Sequence, residues 1–254
     1  MIRLPVSCLD VMLRAPCGED DLALAEGPRA PVAAALGLLA RLAARVDGVA
    51  QDWALLCVTD FEFLLLKLRE MLLGDHVSSH VACPACAERV EISFRITEYT
   101  AHIRTKAVPQ VKAAAQEGWL ELEGAKFRLP QVADVLAAQA ERNSGQALQL
   151  RCLAPGLGAK MRRRLEGVIA RLAPQVTGEV GGACPSCGEL LAAWFDVPGF
   201  VLTELRRMAA GIYAEVHLLA AHYHWSEAAI LALPGARRRG YAELIRDSKL
   251  YAVV

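Results

Sequence analysis

Two short thiol pairs constrain this chain more than any other feature: Cys83-Pro84-Ala85-Cys86 and Cys184-Pro185-Ser186-Cys187. Each sets two sulfurs on a tight Pro-containing turn, and each is followed by a small residue and a strand-like run. Such a half grips one edge of a tetrahedral metal, and two halves supply the four thiolates of a closed structural site. The expectation is a split zinc ribbon, with a structural Zn2+ on Cys83, Cys86, Cys184 and Cys187. Closing so long a loop costs roughly 4 kcal/mol of chain entropy, whereas structural zinc in small fingers contributes ~10–16 kcal/mol. Metal binding therefore outweighs closure.

The same thiols admit other uses. A dithiol redox centre or a pair of disulfides would use the same residues, but redox chemistry wants one pair at a helix start with a depressed thiol pKa. This chain has two near-copies. A catalytic zinc would need an open position and His or carboxylate ligands near a base, and neither pair has such a neighbour. His76 and His80 precede the first pair and are alternative ligands if one thiol does not serve; otherwise they are exposed strand residues. Cys8, Cys17, Cys57 and Cys152 show no paired spacing and read as reduced thiols.

Lys plus Arg and Asp plus Glu number 28 each in 254 residues, so no global field draws the chain to nucleic acid or anionic membrane. The apolar stretch Val32 to Ala40 is well short of the ~20 residues of a membrane span. The start, Met1-Ile2-Arg3-Leu4-Pro5, lacks the pattern of a secretory signal. The expectation is a soluble, cytoplasmic protein with reduced thiols.

The fold class expected is α+β, mainly helical, with the split ribbon interrupted by an inserted module. Residues 1–30 carry Pro5, Pro16, Gly18, Gly27 and Pro28 and read as an irregular arm. Residues 31–96 hold a helix from Pro31 to Val46, a second from Phe61 to Leu73 capped by Thr59 or Asp60 and stopped by Gly74, and the first ribbon half. Its strands are His76 to Ala82 and Arg89 to Ile96. Phe61, Leu64, Leu65, Leu68 and Leu72 form a core-facing stripe.

The inserted module, residues 97–180, contains a hairpin turning at Glu123-Gly124, a helix from Val132 to Glu141 and a basic helix from Ala159 to Leu172. Residues 181–197 are the second ribbon half, with an outgoing strand from Leu190 to Asp196. Residues 198–254 are helical: Gly199 to His222, a short helix begun by Ser226-Glu227, and Arg237 to Ser248.

No catalytic constellation stands out. Gly156-Leu157-Gly158 precedes a helix but lacks the spacing of a phosphate loop. Arg162-Arg163-Arg164 and Arg237-Arg238-Arg239 read as solvated faces or ion-pair donors, with phosphate contact as the alternative. His222 and His224, two residues apart, point to different sides of a helix. Tyr223, Trp225 and Leu231 suggest an aromatic anchor of the kind that docks protein partners, against burial on the chain's own helices.

Several segments in order carry a resemblance. These are Thr59-Asp60-Phe61-Glu62-Phe63-Leu64-Leu65-Leu66-Lys67-Leu68-Arg69 with Gly74-Asp75, the Cys83 pair, Phe127-Arg128-Leu129-Pro130 with Asp134, the Cys184 pair with Gly188, and His222-Tyr223-His224-Trp225-Ser226-Glu227 with Leu233-Pro234 and Arg237 to Arg239. Over residues 55–250 the chain resembles the T-even-type phage baseplate hub assembly chaperones, found in myophages and phage-derived contractile injection systems. Ala87-Glu88 departs from that pattern where a glycine is common, and the arm has no counterpart. The resemblance implies a non-enzymatic assembly factor or baseplate component whose partners are baseplate or tail subunits, located in the cytoplasm or on the particle. The rival readings are a zinc-ribbon nucleic-acid binder and a thiol oxidoreductase.

Overall fold

The structure is a computed structural model that describes residues 1–251, with side chains through residue 247. The arm expected to be irregular is built in. Strands β1 (Ile2–Arg3) and β2 (Asp10–Leu13) are followed by helix α1 (Gly18–Glu26). Leu4 and Val11 are fully buried, and the amides of Val6 and Ser7 donate to the two oxygens of Asp60 at 2.8 Å each. The breakers Pro5, Pro16, Gly27 and Pro28 fall between these short elements. Asp20, in the first turn of α1, accepts from the Cys17 amide at 2.9 Å and pairs with Arg14 and Arg41. Glu19, Asp20 and Asp21 together suit the positive end of the helix.

Helix α2 (Pro31–Leu42) starts at its proline as expected but ends four residues earlier than predicted. Residues Ala43–Arg45 leave the helix as β3 and pair with β2, giving the sheet order β1-β2-β3. Long-range pairing wins over an Ala-rich helical preference there. Helix α3 (Val58–Leu73) begins before its expected caps. Thr59 and Asp60 lie inside the first turn, where Thr59 donates to the carbonyl of Pro174 at 2.9 Å and Asp60 holds the N-terminal loop. Gly74, at φ 83°, stops the helix, and its amide reaches the carbonyl of Glu70. Phe61, Leu64, Leu65 and Leu68 are buried as the stripe predicted, and Leu66 joins them.

Strands β4 (His76–Ala82) and β5 (Arg89–Arg95) form the first ribbon hairpin, and α4 (Ile96–Ala101) leads into the insertion. There β6 (Lys112–Ala113), β7 (Leu120–Leu122) and β8 (Ala125–Phe127) make a small sheet. Its tight turn puts both Glu123 (φ 51°) and Gly124 (φ 81°) in the left-handed region, as a two-residue hairpin loop requires. Helices α5 (Val132–Ala138), α6 (Ser144–Cys152) and α7 (Ala159–Leu172) follow. Val108, Leu122, Phe127, Leu153, Leu165 and Val168 give this region a core of its own.

The second ribbon hairpin is β9 (Gly178–Ala183) with β10 (Leu190–Phe195). The single helix expected from Gly199 to His222 is two, α8 (Val197–Ala209) and α9 (Ile212–Tyr223), parted at Ala210-Gly211. Helices α10 (Glu227–Leu231) and α11 (Gly235–Tyr251) end the described chain. Val201, Leu202 and Leu205 of α8 share one core with α2 and α3, so this helix belongs to the same packed body as the N-terminal half. Among the described residues no helix is long and apolar enough to cross a membrane.

Candidate metal centre

The two hairpins are copies in register. Val77 opposes Phe94 in the first as Gly178 opposes Phe195 in the second, and Ala82 opposes Arg89 as Ala183 opposes Leu190. The knuckles between the strands repeat the same hydrogen bonds. Cys83 donates its amide to the carbonyl of Glu88 and accepts from Ala87; Cys184 donates to Glu189 and accepts from Gly188, at 2.8 and 2.9 Å in both copies. The fifth residue of each knuckle is left-handed, Ala87 at φ 59° and Gly188 at φ 78°. The departure noted in the sequence thus puts an alanine where its copy has glycine.

The inward faces of the hairpins meet and bring all four cysteines together. Their sulfurs lie within 4.8 Å of one another, with Cys83 Sγ to Cys187 Sγ at 3.6 Å and Cys86 Sγ to Cys184 Sγ at 3.7 Å. These contacts run between hairpins, so each half contributes to both. A disulfide would need about 2.05 Å. A regular tetrahedron with metal–sulfur bonds of about 2.3 Å has edges of about 3.8 Å. The donor set fits a thiophilic dication in a closed four-sulfur shell.

The electrostatics fit as well. The Cys187 amide is the main cause lowering the Cys184 thiol to about 7, against burial. At Cys187 the Glu189 amide pulls downward, but the thiol of Cys86, burial, and the thiols of Cys83 and Cys184 outweigh it and push the group up to about 12. Like charges so close cannot all ionise alone, whereas a bound dication holds coordinating thiols deprotonated. Cys83 and Cys184 are buried, and Cys86 and Cys187 lie at the surface.

Below the sulfurs, Val81, Val90 and Leu191 fill the space between hairpins. An apolar cleft of about 200 Å³ follows, lined by Ile92, Val180 and Ala193 among others. It ends on an aromatic cluster where Phe195 meets Phe94, Tyr99 and Phe200 edge-on at 5.2 to 5.5 Å. This joins the ribbon to the helical body. The feet of the hairpins are pinned by carboxylates that the sequence did not single out. Asp75 accepts from the amide and hydroxyl of Thr97 at 2.8 Å each. Glu62 of α3 accepts from the amide and hydroxyl of Thr177 at 2.9 Å each, and Thr177 Oγ1 in turn accepts from the Val197 amide. Arg69, also on α3, donates to the carbonyls of Gly74 and His76 and pairs with Glu204 on α8.

The remaining candidates lie elsewhere. His76 and His80 are exposed on the outward face of the first hairpin, paired across strands with Arg95 and Glu91, and the four-sulfur group does not include them. On α7, Arg164 is paired with Glu123 and Arg162 donates to the Leu157 carbonyl at the helix entry. Within Arg237-Arg238-Arg239, Arg238 is the surprise: it is buried, and pairs with Glu215 of α9 and Asp21 of α1. The only hint in the sequence is its place inside a basic run, which reads as solvated. Burial pushes the Cys57 and Cys152 thiols up to about 11, which makes them poor nucleophiles.

The three residues of the expected aromatic anchor differ in exposure. Leu231 is only 7% exposed, and its backbone lies so close to Gly18 of α1 that a methyl there would be 2.8 Å from it. It packs inside the chain. Tyr223 stacks on Trp225 with ring centres 4.8 Å apart, and Tyr241 of α11 meets both edge-on. Trp225 keeps about a third of its surface open.

No curated protein and no solved structure matches the chain. A family model does. Residues 34–154, from α2 to just beyond α6 and including Cys83 and Cys86 but not Cys184 and Cys187, match the family described as T4 bacteriophage base plate protein, which overlaps the resemblance drawn above across residues 55–154.

Proposed function

We propose that this protein is a non-enzymatic structural or assembly component of the baseplate of a phage-like contractile tail or injection machine. In this reading a structural Zn2+ on Cys83, Cys86, Cys184 and Cys187 clips its two hairpins together. The observation that carries the baseplate assignment is the family match over residues 34–154. Zinc is favoured by the all-thiolate donor set, which suits soft or borderline ions rather than calcium or magnesium. A closed four-sulfur shell leaves no position for a reacting water, so the metal would supply folding energy. The chain does the rest: Glu62, Arg69 and Asp75 fix the feet of the clipped hairpins to α3 and its surroundings, making a rigid platform for protein contacts.

The finer reading is an assembly chaperone for the baseplate hub, acting in the cytoplasm or on the particle, with tail or baseplate subunits as partners. It draws on the resemblance over residues 55–250. Deleting the gene in its host tests it. Tails without baseplates are the expected result, and normal particles would overturn the proposal. Metal analysis of the purified chain is expected to find one zinc per chain, lost in Cys83→Ser.

A further inference from the structure

The hairpins share a backbone plan, so each is a control for the other. Directly opposed residues of an antiparallel pair lie on one face, and outward positions match one for one. Where the first hairpin shows Arg89, Glu91 and Ser93, the second shows Leu190, Ala192 and Trp194. Where β4 has Ser78 and His80, β9 has Glu179 and Gly181. The fold therefore tolerates a polar outward face, and the second hairpin has an apolar one for another reason. Leu190 is 78% exposed and Trp194 66%.

The face has a shape. Ala192 opposes Gly181 at its middle, and Gly181 has no room for a side chain, since a Cβ there would lie 1.9 Å from the carbonyl oxygen of Leu191. Leu190 and Trp194 stand on either side of this bare floor. The hairpin's own charges have one sign: residues 178–197 include Glu179, Glu189 and Asp196 and no Lys, Arg or His.

We infer that the outward face of β9 and β10 docks an apolar helix of another protein, one bordered by lysine or arginine. A second copy of this chain is the wrong occupant, because two-fold pairing would set the same acidic rims against each other. The face spans six residues at about 3.4 Å each. A face about 20 Å long matches one helix of about 13 residues. The bare floor takes one large side chain between Leu190 and Trp194. This inference stands on the hairpin surface and holds whether or not the baseplate reading does.

The test uses the full metal-loaded chain and two labelled synthetic helical peptides of about 13 residues. Both carry a leucine stripe, one bordered by lysine and its twin by glutamate, and binding is read by fluorescence anisotropy. The lysine-bordered peptide is expected to bind, with its twin at least roughly tenfold weaker. Trp194→Ser and Ala192→Glu are each expected to weaken binding by roughly tenfold or more. Both positions are exposed, and an unchanged melting temperature verifies that the variants fold; Ser93→Ala on the first hairpin should leave binding unchanged. Equal binding of the two peptides, no binding at about 1 mM, or equal loss in Ser93→Ala would overturn the inference. So would self-association in sedimentation that Trp194→Ser abolishes, which would assign the face to a second copy.

Discussion

The first and second hairpins agree in strand register, in knuckle hydrogen bonds and in the inward apolar residues of their outgoing strands, Val90, Ile92 and Phe94 beside Leu191, Ala193 and Phe195, and they differ on their incoming strands, at the knuckle's fifth residue, at the foot and on the outward face. What they share is what four converging sulfurs demand: two turns of one shape, presented by strands whose inward faces can meet. What differs lies outside that demand. The convergence of four sulfurs fixes the turn and the positions beside it, while the foot and the outer face follow their surroundings. The comparison thus separates residues constrained by the cluster from residues free to serve something else.

Removing sulfurs should give the largest effect, and should treat the copies alike. Cys83→Ser and Cys184→Ser each leave three thiolates, and both positions are equally buried. Each is expected to abolish stoichiometric metal and cost much of the ~10–16 kcal/mol that a structural zinc contributes. Thermal melting of both variants, beside the wild type treated with chelator, measures it. A loss confined to one hairpin would mean that the halves do not share an ion.

A smaller effect should have opposite signs in the two copies. Ala87 holds a left-handed conformation that costs an L-residue about 1–2 kcal/mol, while Gly188 adopts it freely, with open space where a Cβ would stand. Ala87→Gly gives up that strain but gains unfolded-state freedom, for a net stabilisation of up to about 1 kcal/mol. Gly188→Ala should destabilise by about 1 kcal/mol. Urea midpoints at saturating zinc would read both. Equal signs would show that the knuckles are not conformational copies in solution.

The shared features were legible in the sequence and the differing ones mostly were not. Cys83, Cys86, Cys184 and Cys187 carry their chemistry in residue type and spacing. The strands of the first hairpin and the basic helix α7 were readable from alternation and from helical spacing. By contrast, β1 to β3 are two to four residues long, too short for any period, and Val11 finds Arg45 only by long-range pairing. The strand β9 hid behind Gly181-Gly182, since glycine reads as a turn. Asp60 looked like a helix cap because local rules favour that use, but a loop far away in sequence takes its oxygens. Arg238 looked solvated because its partners Glu215 and Asp21 come from two other helices.

The smallest expected effect lies at the feet, where the two carboxylates should respond to acid in opposite senses. The amide of Thr97 holds Asp75 below its ordinary 3.8, with burial opposing and the Thr97 hydroxyl assisting. Its contribution is therefore present above 3.8 and is lost as pH falls through the lowered folded value. Burial lifts Glu62 above its ordinary 4.5; the amide and hydroxyl of Thr177 work against the shift, and the charge of Asp196 adds to it. Its cost is absent below 4.5 and grows as pH rises toward the folded value. Denaturant midpoints from about pH 3 to about pH 7 should show Asp75→Asn losing less stability than wild type at the acid end. The advantage of Glu62→Gln over wild type should shrink as pH falls from neutral. Acid also protonates the thiolates and releases metal, but in all three proteins alike, so the differences between curves carry the result. Parallel curves would mean that neither foot titrates differently on folding.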